Sequence, residues 1–192
     1  DIPMMSNIPN LVYLAPTCKK EYFAMLDWSI EQNEFPVAIR VPCNGVISSE
    51  KEVERDYSNL NKFKVEEKGN KVAIIALGDF FEIGRSVLKG LKEELGISAT
   101  LINPRFITGI DKQMLTELLD NHKLVITLED GILDGGFGEK ISRFYGDKNM
   151  KVLNFSATKE FTDRVPLEEL YERYHLTEDL IVNDIKSAID QE

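Results

Sequence analysis

Hydrophobic residues along this chain form short apolar runs that alternate with segments of helical period. Residues 124–128 are a brief, partly β-branched run bounded by turn residues, which predicts a buried strand. A glycine-rich bend follows, and the next segment has a helical pattern whose apolar face consists of Phe137, Ile141, Phe144 and Tyr145. The pattern therefore predicts a buried strand that leads into a helix, and the ligand sites of α/β sheets cluster at such bends.

The same alternation continues over residues 71–155 and predicts the fold class. Strands are predicted at residues 71–77, 99–103, 124–128 and 151–155. Helices are predicted as follows: one closed by Gly96, one capped by Asp111, one from Phe137, one begun by Pro166 and one capped by Thr177. This order favours an α/β fold with a mostly parallel sheet that is covered by helices on both faces.

A shorter unit precedes this one. Residues 11–15 and 37–40 read as two brief strands, and the helical segment between them, residues 19–32, has Thr17 as its predicted N-cap. Strand, helix and strand in this order normally give two parallel strands joined by a crossover. The helix has apolar residues on more than one face, so it is expected to pack against neighbours on two sides. About 45 residues cannot cover both faces of a sheet, so this unit is too small for a domain.

The boundary between the two units is polar. Residues 48–61 are highly charged and lack a sustained period, which is typical of a linker. Residues 62–66 then alternate between polar and apolar positions, and a Gly69-Asn70 turn leads into the strand at residues 71–77. We therefore expect a β-hairpin to open the second unit.

Composition excludes several classes of partner. The chain has 192 residues, a formal net charge of -10 and a pI near 4.8, and no Lys/Arg cluster is visible in the sequence. Such a chain would repel the phosphate backbone of a nucleic acid. The longest apolar run, residues 72–77, is far shorter than the roughly 20 residues that cross a bilayer, so we expect a soluble protein and no membrane partner.

Cysteine and histidine usage points to the cytoplasm and to no metal site. Cys18 and Cys43 lie far apart without a CxxC pair, so free thiols in a reducing cytosol are expected. His122 and His175 lie far apart and have no partner constellation in the sequence, so a solvated or helix-capping role is favoured over a catalytic one. The first residues contain no secretory signal and no initiating Met, so the sequence is expected to start inside a longer gene product.

Three predicted bends between a strand and a helix are candidate sites: Gly78-Asp79, residues 103–105 and residues 129–138. Free N–H groups at a helix start favour an anion, but two of these three bends also contain carboxylates, namely Asp79 in the first and Glu129, Asp130 and Asp134 in the last. A structural role is therefore favoured over phosphate binding for Gly135, Gly136 and Gly138.

Two further roles stay open from the sequence alone. Glu129 and Asp130 are either a general acid and base pair or hydrogen-bonding groups at a domain interface, and the second role is favoured. Arg40, at the end of a predicted strand, either binds a substrate phosphate with its two-pronged guanidinium group or forms a surface ion pair.

Several segments resemble a known family. They are residues 1–17 (DIPMMSNIPNLVYLAPT), 22–42, 76–80 (ALGDF) and 128–138 (LEDGILDGGFG). They resemble, in order and across essentially all 192 residues, the C-terminal portion of the 1-deoxy-D-xylulose-5-phosphate synthases of the transketolase superfamily. The resemblance implies three parts: residues 1–48 end a pyrimidine-binding domain, residues 49–58 are a linker, and residues 59–192 form a transketolase C-terminal domain.

The resemblance also implies an activity for the full-length protein. Such enzymes bind thiamine diphosphate and Mg²⁺ between the subunits of a homodimer, decarboxylate pyruvate and transfer the two-carbon unit to glyceraldehyde 3-phosphate for isoprenoid precursor synthesis. The catalytic, cofactor-binding and metal-binding residues of the family lie outside this chain. We therefore expect no bound cofactor here, no activity of the chain alone, and a structural role in packing against the rest of the polypeptide and in the dimer, with Glu129, Gly135, Gly136 and Gly138 in a structural or interdomain loop.

One departure from the family leaves the acceptor substrate open. The family's Arg-Tyr-Pro-Arg-Gly segment aligns with residues 40–45, so Arg40 keeps the first arginine while Cys43 replaces the second, which contributes to substrate phosphate binding. A thiol cannot replace a guanidinium group. The alternatives are another superfamily member, such as a transketolase half or a β-type subunit of a 2-oxoacid dehydrogenase, or a non-catalytic module that binds a small anion at the Gly78 or Gly135 bend.

Overall fold

The computed structural model describes residues 1–43, 45–49 and 51–190, and in this part of the chain two β-sheets are flanked by helices. The strands are β1 (Val12–Leu14), β2 (Val37–Ile39), β3 (Lys64–Glu67), β4 (Lys71–Ala76), β5 (Thr100–Asn103), β6 (His122–Ile132) and β7 (Lys151–Ala157). The helices are α1 (Ile2–Met5), α2 (Lys19–Glu31), α3 (Phe81–Leu95), α4 (Lys112–Glu117), α5 (Phe137–Tyr145), α6 (Leu167–Arg173) and α7 (Glu178–Ile189).

The larger sheet has five strands in the order β3-β5-β4-β6-β7, and only β3 is antiparallel to its neighbour. The central strand β4 supplies apolar side chains to both faces. Val72 and Ile74 belong to the core that contains residues of α3 and α7, whereas Ala73 and Ile75 belong to the core that contains residues of α4 and α5. The predicted α/β fold, with a mostly parallel sheet between two layers of helices, is confirmed.

The predicted hairpin between β3 and β4 is wrong. β3 pairs instead with β5, with Lys64 opposite Asn103, and β5 lies between β3 and β4. The reason is that β4 is buried on both faces and needs a parallel partner on each side, which β5 and β6 supply. The turn before β4 passes under the start of β5 so closely that a Cβ at Gly69 would lie 2.0 Å from the carbonyl oxygen of Ser98.

The N-terminal unit contains the predicted parallel strand pair, since β1 and β2 are in register with Val12 opposite Val37 and α2 connects them. The predicted N-cap is wrong, because Cys18 rather than Thr17 occupies the N-cap position of α2. The backbone N–H and the hydroxyl of Thr17 both donate to Glu21 Oε2, at 2.7 and 2.8 Å. The carboxylate of Glu21 therefore draws Thr17 out of the capping geometry.

The remaining predicted helix boundaries agree with the structure in most details. Gly96 ends α3 in the left-handed conformation with φ of 65°, and Asp111 caps α4 by accepting from the N–H of Met114 at 3.1 Å. Thr177 is the N-cap residue of α7 but makes no side-chain capping hydrogen bond, and Pro166 directly precedes α6.

The two units share backbone hydrogen bonds and a core. Ala15 N–H donates to the carbonyl of Arg105 at 2.8 Å, and Ile107 N–H donates to the carbonyl of Tyr13 at 2.7 Å. Tyr57, in the predicted linker, is buried and its ring packs against Trp28 and Phe106. The linker prediction also includes Glu50, and the C-terminal domain prediction includes residues 191 and 192, all of which lie outside the described residues. The division into residues 1–48, 49–58 and 59–192 stays a prediction.

Candidate functional site

The carboxyl ends of the strands bring together four charged residues, Asp1, Arg40, Asp79 and Asp130, which we name the carboxyl-edge cluster. Arg40 follows β2, Asp79 lies in a short 3-10 turn after β4, and Asp130 lies near the end of β6. Arg40 Nε donates to Asp1 Oδ2 at 2.8 Å, and Arg40 Nη2 donates to the carbonyl oxygen of Asp130 at 2.7 Å. Arg40 Nη1 also forms an ion pair with Asp130 Oδ2 at 3.2 Å.

Arg40 is therefore occupied by carboxylates in this structure. Its side chain is 19% exposed, and all three guanidinium nitrogens contact Asp1 or Asp130. A phosphate group would have to displace at least one of these contacts to bind in the two-pronged geometry. The substrate-phosphate role of Arg40 stays a prediction, and Cys43, the departure from the family pattern, is exposed close by in sequence.

Asp79 is the member of the cluster whose carboxyl group lies partly buried after β4. Burial raises the pKa of its carboxyl group, and the negative charge of Asp130 raises this pKa further, while Arg40 opposes the shift. Its Oδ1 atom is buried and has no hydrogen-bond partner among the described residues. Tyr171, in α6, is affected by the same charges: burial raises the pKa of its phenol, and the negative charges of Asp130 and Asp79 raise it further.

Glu129 fills the position at the N-terminus of α5 where an anion would bind. It is 1% exposed, and its two oxygens accept from the N–H groups of Phe137, at 2.9 Å, and Gly138, at 2.7 Å. Burial raises the pKa of this carboxyl group, and the two backbone N–H groups and the charge of Lys140 act in the opposite direction. The bend thus satisfies its helix dipole with a carboxylate of the same chain.

The glycines of this bend allow close packing around Glu129. A Cβ at Gly136 would lie 2.7 Å from Glu129 Oε1, and a Cβ at Gly138 would lie 2.5 Å from Thr127 Oγ1. Gly135 has φ of +73°, which L side chains rarely adopt. These distances leave no room for a phosphate between the bend and the carboxylate, and they favour the structural reading of Gly135, Gly136 and Gly138.

The carboxylates of Glu129 and Asp130 do not face a common site at which they could act on one substrate. The carboxylate of Glu129 faces the start of α5, whereas that of Asp130 faces Arg40, because neighbouring residues of a strand point to opposite faces. Both carboxylates already have hydrogen-bond partners. The geometry favours the hydrogen-bonding role over a general acid and base pair.

Sequence reasoning missed two parts of the site region. Asp1 accepts both from Arg40 and from the hydroxyl of Tyr13, which donates at 2.9 Å. Glu21 is buried and accepts from Asn103 Nδ2 at 3.0 Å, and burial raises the pKa of its carboxyl group. No sequence signal identified either contact, because each joins residues that are distant in the chain or lie at its start.

The histidines have structural partners. His122 is buried and lies 3.1 Å from the carbonyl oxygen of Leu118 and 2.8 Å from Thr100 Oγ1, and His175 pairs with Asp184 at 2.7 Å on the surface. Among the residues that the structure describes, no group of three or more His, Cys, Asp or Glu side chains has the arrangement of a metal site. Within the same part of the chain, no helix combines the length and the apolar composition needed to span a bilayer.

The fold and the residues at the carboxyl edge of its sheet define a transketolase-type α/β domain. Residues 61–181 match the family model of the transketolase C-terminal domain, so the chain belongs to that family. It is also 35% identical over 187 residues to the 1-deoxy-D-xylulose-5-phosphate synthase of Clostridium tetani and 36% identical over 191 residues to that of Alkaliphilus oremlandii. These matches cover 96% and 97% of this chain and 30% of each relative, which confirms the resemblance found in the sequence.

A solved structure of a split-gene transketolase, described as an inactive β4 tetramer, has the same fold. The TM-score is 0.80 at 24% sequence identity, and the match covers 98% of this chain and 60% of that one. At this level of identity the likeness concerns the fold alone. The chain spans about 30% of the length of the two curated relatives from Clostridium tetani and Alkaliphilus oremlandii.

Proposed function

We propose that this chain is the C-terminal portion of a thiamine-diphosphate-dependent transferase that condenses pyruvate, with loss of CO₂, with glyceraldehyde 3-phosphate. The main support is the similarity to two 1-deoxy-D-xylulose-5-phosphate synthases over at least 96% of the chain. When bound, thiamine diphosphate supplies the electron sink for such a decarboxylation. The product would be a precursor of isoprenoids, and the enzyme would act in the cytoplasm.

In this proposal the chain itself is a scaffold and does not hold the cofactor. A diphosphate with Mg²⁺ needs oxygen ligands together with free backbone N–H groups. The N–H groups of Phe137 and Gly138 are already bound to Glu129, and the bend after β4 adds the carboxyl group of Asp79 without a basic residue. The residues present therefore do not fit the diphosphate, which supports a cofactor site on another part of the polypeptide.

The proposed partners are the rest of the polypeptide and a second copy of the full-length enzyme. The surface of α2 supports this, because Ala24, Met25 and Trp28 are buried while Phe23 and Ile30 on another face are 48% and 73% exposed. The sheet formed by β1 and β2 has only two strands in the described part of the chain. Both features agree with residues 1–48 being the end of a pyrimidine-binding domain whose other elements lie outside this chain.

Arg40 belongs to this proposal as a contributor to substrate phosphate binding in the complete enzyme. Its ion pairs with Asp1 and Asp130 are partly exposed, so an incoming phosphate dianion with further cationic support can compete for the guanidinium group. Until substrate binds, Asp130 holds the guanidinium group at the carboxyl edge of the sheet.

The experiment that tests the proposal uses the complete protein and the 192-residue chain in parallel. The complete protein should release CO₂ from pyruvate only when thiamine diphosphate, Mg²⁺ and glyceraldehyde 3-phosphate are present, and the chain alone should neither turn over pyruvate nor give a calorimetric signal with thiamine diphosphate. Turnover by the purified chain, or its micromolar affinity for thiamine diphosphate, would contradict the scaffold role. Two-carbon transfer from a ketose without pyruvate would instead identify a transketolase.

A further inference from the structure

A second region of the sheet, at the edge opposite the carboxyl-edge cluster, gathers basic side chains around a cavity. We name it the basic pocket. It has a volume of about 370 Å³, and its charged and polar lining consists of Lys68, Arg85, Lys89, Lys92, Glu67 and Ser98. It lies between α3, the turn that precedes β4 and the residues that precede β5, which is the amino-terminal edge of the parallel strands.

Helical periodicity and one turn build the basic pocket. Arg85, Lys89 and Lys92 are separated by four and three residues in α3, so they lie on one face of the helix. The turn that presents Lys68 is fixed by two hydrogen bonds: Gly69 N–H donates to Thr100 Oγ1 at 3.0 Å, and Asn70 N–H donates to the Ser98 carbonyl at 2.8 Å. No Lys/Arg cluster is visible in the sequence, but the fold brings these basic side chains together from two segments.

The positive charge of the basic pocket is poorly compensated. Four cationic side chains and one carboxylate line it, although the whole chain has a net charge of -10. Arg85 pairs with Glu82 at 3.4 Å and Lys89 pairs with Glu93 at 3.7 Å, and all four of these side chains are more than 40% exposed. Exposed pairs of this kind are weak, so they neutralise the pocket only in part.

Three donor groups on residues that line the basic pocket have no partner in the part of the chain that the structure describes. Lys68 and Lys92 form no ion pair or hydrogen bond there. The Nε atom of Arg85 is buried and has no hydrogen-bond acceptor among the described residues. A buried N–H group without an acceptor is rare in native proteins, and a bound anion is one of the groups that supplies the missing acceptor.

We propose that the basic pocket binds a small polyanion with two or more phosphate groups. Its volume lies in the range of small-molecule sites, which is about 300 to 1,000 Å³. Several cations around one cavity match several phosphate oxygens, whereas a single carboxylate would neutralise only part of this charge. A long nucleic acid does not fit as the ligand, because it would extend beyond the pocket along a chain whose net charge is -10.

The position of the basic pocket indicates a regulatory ligand. The proposed reaction uses the carboxyl edge of the sheet, and the basic pocket lies at the opposite edge, so its ligand does not contact the reacting groups. The binding of a polyanion does not depend on the proposed function, because it uses only the charges and the cavity of the described residues. The regulatory role of that ligand rests on the proposed function.

The test is a titration of the 192-residue chain with inorganic pyrophosphate, followed by calorimetry and by amide chemical shifts. We expect saturable one-to-one binding, with the largest shifts at Gly69, Ser98 and the residues of α3 that line the pocket. The double variant Lys68→Gln/Lys92→Gln should weaken binding about tenfold or more, because it removes two uncompensated charges at the ligand.

The matched control is Lys112→Gln/Lys159→Gln, which removes two exposed lysines elsewhere and should change the affinity less than about twofold. Equal weakening in both double variants would overturn the proposal, since it would indicate an effect of net charge alone. The absence of saturable binding by the unmodified chain, or shifts centred on the Gly135 bend, would overturn it as well.

Discussion

The guanidinium group of Arg40 and Asp130 form an ion pair and a backbone hydrogen bond that join residues 90 positions apart in the chain. Arg40 Nη1 lies 3.2 Å from Asp130 Oδ2, and Arg40 Nη2 donates to the carbonyl oxygen of Asp130 at 2.7 Å. The contact ties the end of β2 to the end of β6, so it connects the N-terminal unit to the carboxyl edge of the larger sheet.

A double-mutant cycle with Arg40→Gln and Asp130→Asn measures this contact. Because Arg40 is 19% and Asp130 47% exposed, solvent screens the pair, and we expect a coupling in the free energy of unfolding of about 1 kcal/mol. The reference is a cycle for the more exposed pair Glu169 and Arg173 within α6, where about 0.3 to 0.5 kcal/mol is expected. A coupling for Arg40 and Asp130 no larger than this reference would contradict the role of the pair as a tie between units.

Restoring the family's second arginine tests the substrate-phosphate prediction. In the complete protein, Cys43→Arg should lower KM for a phosphorylated aldehyde roughly tenfold, because a charge-assisted hydrogen bond to a phosphate contributes about 1.5 to 3 kcal/mol. Cys43 is exposed, so the longer side chain has room. Cys43→Gln is the uncharged control and should leave KM nearly unchanged; the same KM in all three proteins would remove this position from the phosphate site.

Glu129→Gln should destabilise the chain by about 1 to 3 kcal/mol. The substitution replaces one acceptor oxygen by an NH₂ group that faces the N–H of Phe137 or of Gly138, and so leaves a buried donor without a partner. Asp134→Asn, an exposed change of the same charge in the same bend, is the control and should alter the free energy of unfolding by less than about 0.5 kcal/mol. Denaturant unfolding measures the free energy of unfolding of both variants. Equal decreases in the two would show that the lost negative charge, and not the buried hydrogen bond, accounts for the destabilisation.

Gly138→Ala tests the close packing of α5 on β6. The added Cβ would lie 2.5 Å from Thr127 Oγ1 and 2.8 Å from Asn154 Oδ1, so the helix has to shift, at a cost of about 1 to 3 kcal/mol. Gly146→Ala at the other end of α5 meets nothing closer than 3.5 Å and should be neutral or slightly stabilising. Thermal unfolding compares the two, and a Gly138→Ala protein as stable as Gly146→Ala would refute the packing argument.

His122 gives a prediction for the dependence of stability on pH. Burial lowers the pKa of its imidazole, so the folded protein binds the proton less readily than the unfolded chain does. The contribution of His122 to the free energy of unfolding is therefore complete above about pH 6.5, the pKa of the imidazole in the unfolded chain. It is lost as the pH falls through the lower pKa of the imidazole in the folded protein. Unfolding measured between about pH 7.5 and about pH 5.5 should show a smaller loss of stability in His122→Gln than in the unmodified chain. An identical loss in both proteins would assign the dependence to other groups.

Local patterns in the sequence predicted most elements of the fold, because burial on one or two faces leaves a period that a single strand or helix shows by itself. The runs at residues 71–77 and 124–128 became β4 and part of β6, and Gly96 and Asp111 became helix caps. The pairing of β3 was mispredicted because a turn at Gly69 indicates only that the chain reverses. Which strand lies next to β3 depends on the two-sided burial of β4, a property of the whole sheet.

The sites were harder to predict than the elements. The sequence identified Arg40 and Glu129 as groups of interest, but their partners are Asp130 and the N–H groups of α5, and the choice of partner depends on tertiary geometry. The basic pocket went unnoticed because Lys68 is separated from α3 in the sequence and because the net charge of -10 concealed a local excess of cations. Residues of α3 at a spacing of four and three were the signal that could have revealed it.

The contact of Glu129 with the start of α5 also determines how this bend responds to the composition of the surrounding solution. A helix start that depends on a dissolved anion gains stability in proportion to the logarithm of that anion's concentration. In this chain the anion is covalently attached to the neighbouring strand, so its effective concentration never changes. The order of the bend is thereby independent of dilution, dialysis and the phosphate content of the cell.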